Sequence, residues 1–128
     1  MMGLDTNLIV RLLTNDDKKQ ARFAADLIEN NSVFIAKSVL LETEWVLRFT
    51  YNLSDEVILK AFESLLGLPQ VTAEDPTGVS QALEWYSKKF DFADALHLAS
   101  CKQTKEFATL DKNFIKKAKK LNVNLITL

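Results

Sequence analysis

The chain has a single cysteine, Cys101, in 128 residues. That excludes an internal disulfide and fits a reducing compartment. Histidine is equally scarce, with His97 alone. One histidine gives little support to a Ser-His-Asp triad. His97 and Cys101 stand four residues apart, but zinc sites use three or four such ligands and no others exist here. The glycines are Gly3, Gly67 and Gly78, none with the spacing of a phosphate loop or a dinucleotide fingerprint. No apolar run approaches the roughly 18 residues of a membrane span. The N-terminus shows no basic segment followed by an apolar one, as a secretory signal would. These absences are read together as a cytoplasmic protein.

What is present is ordinary in bulk. The length suits one domain over residues 1–128, and 48% hydrophobic with 26% charged residues is a globular composition. The formal charge of −1 neither supports nor excludes a nucleic-acid partner, because distribution outweighs the sum. The distribution is uneven. Lys112, Lys116, Lys117, Lys119 and Lys120 form a basic stretch, and Asp55, Glu56, Glu63, Glu74 and Asp75 make the middle acidic. A solvated helix face is the plain reading of such a run.

Strand-like and helix-like segments alternate, which predicts α/β architecture: a doubly wound, mainly parallel sheet of four to five strands with helices on both faces. The strands are expected at Met2–Asp5, Val33–Ala36, Val71–Ala73, Phe107–Leu110 and Asn124–Thr127. Helices are expected near Asn7–Leu13, Asp17–Asn30, Val39–Tyr51, Asp55–Leu66, Pro76–Lys89, Phe92–Thr104 and Asn113–Leu121. Ser54 before Asp55-Glu56 is an N-cap signal, and Pro76 suits a first helical position.

Four carboxylates stand out. Asp5 and Asp111 each close an apolar strand, and in open α/β sheets that edge is where ligands bind. Either could equally cap the helix that follows. Glu42 falls inside the apolar arc of its helix by the 100° wheel, whereas Glu44 and Arg48 lie in the polar gap and can pair at i,i+4. Glu42 is then buried for a purpose or placed at the open end of the arc near a site, or it answers the helix dipole. Asp94 points to the packing side of its helix, with Asp91 as the natural N-cap and Asp94 at the third helical position. Acids brought to one edge repel, and an unpaired buried acid is costly. A divalent cation resolves both problems, so Mg²⁺ or Mn²⁺ is the simplest implied ligand. Trp45, Trp85 and Tyr86 are read as packing residues rather than base-stacking platforms.

The stretches Leu4-Asp5-Thr6-Asn7, Val39-Leu40-Leu41-Glu42, Asp91-Phe92-Ala93-Asp94-Ala95-Leu96-His97 and Phe107-Ala108-Thr109-Leu110-Asp111-Lys112-Asn113-Phe114 together resemble a PIN domain. They are most similar to the VapC-type toxins of prokaryotic toxin–antitoxin pairs. The resemblance runs through essentially the whole chain. It implies a metal-dependent ribonuclease in which Asp5, Glu42, Asp94 and Asp111 surround one or two Mg²⁺ or Mn²⁺ ions. Thr6, Asn7, Asp91, Thr109 and Asn113 match neighbouring supporting positions. It further implies an RNA substrate, a cognate antitoxin protein and a homodimer. Substrate contact would fall to the ions and to scattered cations, with Arg11, Lys37 and the late lysines the candidates. Two rivals remain: an α/β phosphatase or phosphoacceptor domain, and a catalytically silent binding module. A dehalogenase-type phosphatase wants an acid two residues after Asp5, where Asn7 stands. Retention of all four acids argues against the silent module.

Overall fold

A computed structural model describes all 128 residues, Met1–Leu128. The contacts divide the chain into two units, Met1–Pro76 and Thr77–Leu128. The first unit runs β1 (Met2–Gly3), α1 (Thr6–Thr14), α2 (Lys18–Asn30), β2 (Val33–Ile35), α3 (Lys37–Phe49), α4 (Asp55–Leu66) and β3 (Val71–Ala73). Its strands pair in parallel in the order β1-β2-β3, Met2 opposite Val33 and Val33 opposite Val71. Each crossover is a helix pair, as parallel neighbours require. Val33, Ile35, Leu40, Leu47, Ile58 and Phe62 are wholly buried in this unit.

Capping sets where these helices begin. Asp5, Asp17 and Ser54 each accept a hydrogen bond from a backbone N–H of the first turn. α1 stops at Asn15, whose φ of 53° is the left-handed conformation that asparagine tolerates. α3 has no side-chain cap and starts at Lys37, two residues before the apolar pattern suggests.

The second unit continues with α5 (Pro76–Ser87, its first residue at the division), α6 (Phe92–Ser100), β4 (Phe107–Ala108), α7 (Lys112–Ala118) and β5 (Leu125–Ile126). β4 and β5 are parallel, Phe107 opposite Leu125. Aromatic contacts knit this unit: Tyr86 meets Phe92 edge-on at 5.3 Å, and Phe107 meets Phe114 in a tilted pair at 5.4 Å between ring centres. Five strands form and every pair is parallel, but they hydrogen-bond as a set of three and a set of two. Strands β1, β4 and β5 are two residues each, so they offer few backbone groups to a wider ladder.

Candidate functional site

In the first unit the chain leaves β1 through Leu4 and reaches Asp5, which caps α1 by accepting from the Thr6 N–H at 2.8 Å. Oδ1 makes that bond, so the other carboxylate oxygen stays available to a ligand. Thr6 is buried, and its hydroxyl donates to Glu42 Oε1 on α3. Asp5, Thr6, Asn7, Arg11, Glu42 and Tyr51 line one groove of about 550 Å³ with Val10, Val46 and Thr50. Asp5 and Glu42, 37 residues apart in sequence, are thus brought to one place by the docking of α1 on α3.

Arg11 enters this groove already partnered. It donates to Asp16 Oδ2 at 2.9 Å and to the Tyr51 hydroxyl at 2.9 Å, and Tyr51 donates to Asp16. The Tyr51 bond holds the Asp16 carboxyl below the usual range, with Thr14 and Arg11 adding to it. Asp16 in turn raises the Arg11 guanidinium. Tyr51 is the residue that sequence reasoning misses; it ends a helix pattern and bears no motif. Lys37 is committed too, its ammonium to Asp75 at 2.9 Å and its backbone N–H to Glu74 at 2.9 Å.

One assignment on α3 is reversed. Glu42 is exposed, and Glu44 is the acid that goes inside, at 1% exposure, beside wholly buried Thr43. Leu40, Thr43, Glu44 and Leu47 form the buried stripe, while Trp45 at 56% and Phe49 at 62% face solvent. Trp45 is therefore not a core residue. The pair Glu44–Arg48, expected at the surface, makes the burial possible: the guanidinium lies 3.1 Å from the carboxylate and its exposed end stacks 5.0 Å over Phe49.

The second unit holds the other acids. Asp91 caps α6 by accepting from the Asp94 N–H at 3.2 Å. Asp94 sits one turn in, half-buried, and its own carboxylate accepts no hydrogen bond from the protein. Burial raises its pKa first, then the negative charges of Asp91 and Asp111; His97 and Lys117 oppose the shift. Asp111 caps α7, taking the N–H groups of Asn113 and Phe114 on one oxygen at 3.0 and 3.1 Å. Thr109 fixes the approach by accepting from the Asp111 N–H at 3.1 Å. The capping readings of Asp5, Asp91 and Asp111 are all realised. For Asp5 and Asp111 capping occupies one oxygen only, so it does not compete with a ligand on the other.

Every candidate ligand is a carboxylate oxygen, the donor type of Mg²⁺ and Mn²⁺ rather than of zinc or copper. Crowded negative charge at Asp94 is the kind of defect a divalent cation relieves, so the residues fit such an ion. Within neither unit do three His, Cys, Asp or Glu side chains converge at coordination distance.

Parallel strands followed by capping acids define an α/β class with carboxylates at the strand ends. The family model of the PIN domain matches residues 2–120, and the chain belongs to the PIN domain family. Comparison with curated proteins gives no match. Among solved structures the chain is similar to the crystal structure of Mycobacterium tuberculosis VapC20, described as a sarcin-ricin loop cleaving toxin. Identity is 21%, over 91% of this chain and 94% of that one, with a TM-score of 0.45. That likeness is loose, and the family match is what places the chain. No helix is long and apolar enough to cross a membrane.

Proposed function

We propose that the protein is a ribonuclease that hydrolyses RNA phosphodiester bonds, with Asp5, Glu42, Asp94 and Asp111 as its catalytic acids and one or two Mg²⁺ or Mn²⁺ ions as cofactor. We further propose that it is the toxin of a toxin–antitoxin pair, acting as a homodimer and restrained by a cognate antitoxin. PIN membership supports the nuclease class. The observation that carries the site is Asp94: half-buried, without a hydrogen-bond donor, and pressed by Asp91 and Asp111.

The residues divide the work by their bonds. Asp5 and Asp111 are locked in direction by their caps, each with one oxygen to offer. Glu42 is aimed by the Thr6 hydroxyl. Asp94 stands to gain from a cation, because burial and the charges of Asp91 and Asp111 disfavour its ionised form. A bound divalent cation supplies Lewis acidity toward the phosphate and lowers the pKa of water near it. The protein's own part is to hold the acids oriented, which needs no side-chain nucleophile and fits the lack of one.

The test is cleavage of a structured RNA pool by the purified chain with Mn²⁺, Mg²⁺ or EDTA, beside Asp94→Asn prepared identically. Metal-dependent cutting lost in the variant is expected. Equal cutting by both means contamination, and no cutting by either, with metal binding retained, favours a silent binding module. For the toxin assignment, induced expression should arrest growth with the wild-type chain and not with Asp94→Asn. Arrest by both would sink it.

A further inference from the structure

Four lysines of the second unit share one surface. Lys88, Lys116, Lys117 and Lys120 line one cavity of about 430 Å³, with Phe90, Asn113 and Leu121 adding apolar and amide surface. No acid lines it. Lys88 lies in the turn after α5, and the other three come from α7 and the turn after it. Lys117 joins the two walls, its ammonium donating to the Lys89 carbonyl at 2.6 Å. Only Lys88 has an acidic partner, Glu84 at 3.7 Å, and both groups of that pair are about 60% exposed. Lys116 and Lys120 form no ion pair.

Attraction to the C-terminal dipole of α7 accounts for Lys116 and Lys117. It does not account for Lys88, which arrives from the turn after α5, nor for a shared cavity. In a chain of net charge −1, three unneutralised lysines on one concave surface are a local excess, the footprint of a polyanion.

The cavity also borders two of the candidate catalytic acids, Asp94 and Asp111. Asn113 lines it, and the Asn113 N–H is bonded to Asp111 Oδ1. Lys117 lines it as well, and its charge acts on Asp94. We propose that this cavity binds the phosphate backbone of single-stranded RNA next to the cleavage site, with Lys116 and Lys120 as the chief phosphate contacts. The identity of the ligand rests on the ribonuclease reading. Half-buried Leu121, backed by the buried ring of Phe90, favours RNA over a plain polyanion, because nucleotides offer apolar sugar and base surface beside each phosphate.

Binding of a labelled single-stranded RNA to the full chain, in EDTA so that no cleavage occurs, is measured by fluorescence anisotropy against salt. Each lost phosphate contact lowers the salt slope by about 0.7, so K116Q/K120Q should lower it by about 1.4 and weaken binding roughly tenfold at low salt. The control is K18Q/K19Q, which removes the same charge from α2 in the first unit and should leave the slope unchanged. An unchanged slope in K116Q/K120Q overturns the proposal. So does an equal fall in both variants, which would report net charge alone. Poly-glutamate binding more tightly than RNA through Lys116 and Lys120 would assign the cavity to an acidic protein partner and overturn it too. The slope change without any Mn²⁺-dependent cleavage would keep the phosphate site and remove the nuclease reading, so the two fail separately.

Discussion

In the first unit a hydroxyl donates to Glu42, whereas in the second nothing donates to Asp94 and two like charges press on it. Asp16 of the first unit is held low by Tyr51; Asp94 is held high by burial and its neighbours. One half presents acids settled by neutral or cationic partners. The other presents a concentration of negative charge with a lysine cavity beside it. Settled acids orient a ligand at little cost, while crowded ones create the demand for a cation.

The largest expected effect is on activity. If both halves serve one reaction, Asp5→Asn and Asp94→Asn should each reduce RNA cleavage by more than roughly 100-fold, since even groups that merely orient metal ligands matter at about 10–100-fold. Single-turnover assays with folding checked by circular dichroism decide this. Retained activity in Asp5→Asn would confine the chemistry to the second unit.

Effects on stability come next. Arg48→Met strands Glu44, which is 2% exposed at its side chain, without its cation. Breaking such a buried pair costs about 3–5 kcal/mol. Lys88→Met in the second unit removes an exposed i,i+4 partner of Glu84 and should change stability by less than about 0.5 kcal/mol. Urea unfolding of the two variants tests the contrast, and similar losses would refute it. Thr6→Val, which removes the donor to Glu42, should cost about 1 kcal/mol and reduce cleavage more than it reduces stability. Loss of stability alone would make Thr6 a packing residue.

The smallest effect is the pH dependence, and its sign differs between the halves. Asp94 is raised in the folded chain, so the folded state keeps its proton longer. Its contribution is most favourable below the ordinary carboxylate value and is lost as pH rises through the raised one. Asp94→Asn should therefore melt higher than wild type at neutral pH, and the gap should close toward about pH 4. Asp16 is lowered, so its contribution is present at neutral pH and lost as pH falls through the lowered value. Asp16→Asn should flatten the acid side of the stability curve. A melting-temperature series across the acid range reads both; parallel curves for Asp94→Asn and wild type would show that its charge is compensated.

Local chemistry was legible in the residues because it acts over one turn. Asp5, Ser54, Asp91 and Asp111 cap where their sequence context says they should, and β3 and α4 have the expected bounds. α6 is shorter than its apolar pattern suggests, ending at Ser100 with the cap at Cys101. The α3 wheel misled because its apolar arc is too broad to have one inside. Which part is buried was settled by what packs there: Leu40 and Leu47 carry Glu44 inward with Arg48, and Trp45 and Phe49 are left in water.

By itself, then, the sequence determined the alternation of strands and helices, the capping acids, and the inventory of hard oxygen donors. These follow from near-neighbour hydrogen bonds and from side-chain chemistry that no fold alters. Only the tertiary structure decided that Thr6 reaches Glu42 across 36 positions, that Glu44 and not Glu42 is buried, that Arg11 and Lys37 arrive already paired, and that Lys88 joins the late lysines around one cavity. Each depends on which helices dock and on which partner is within a few ångströms, and spacing along a chain does not encode that distance.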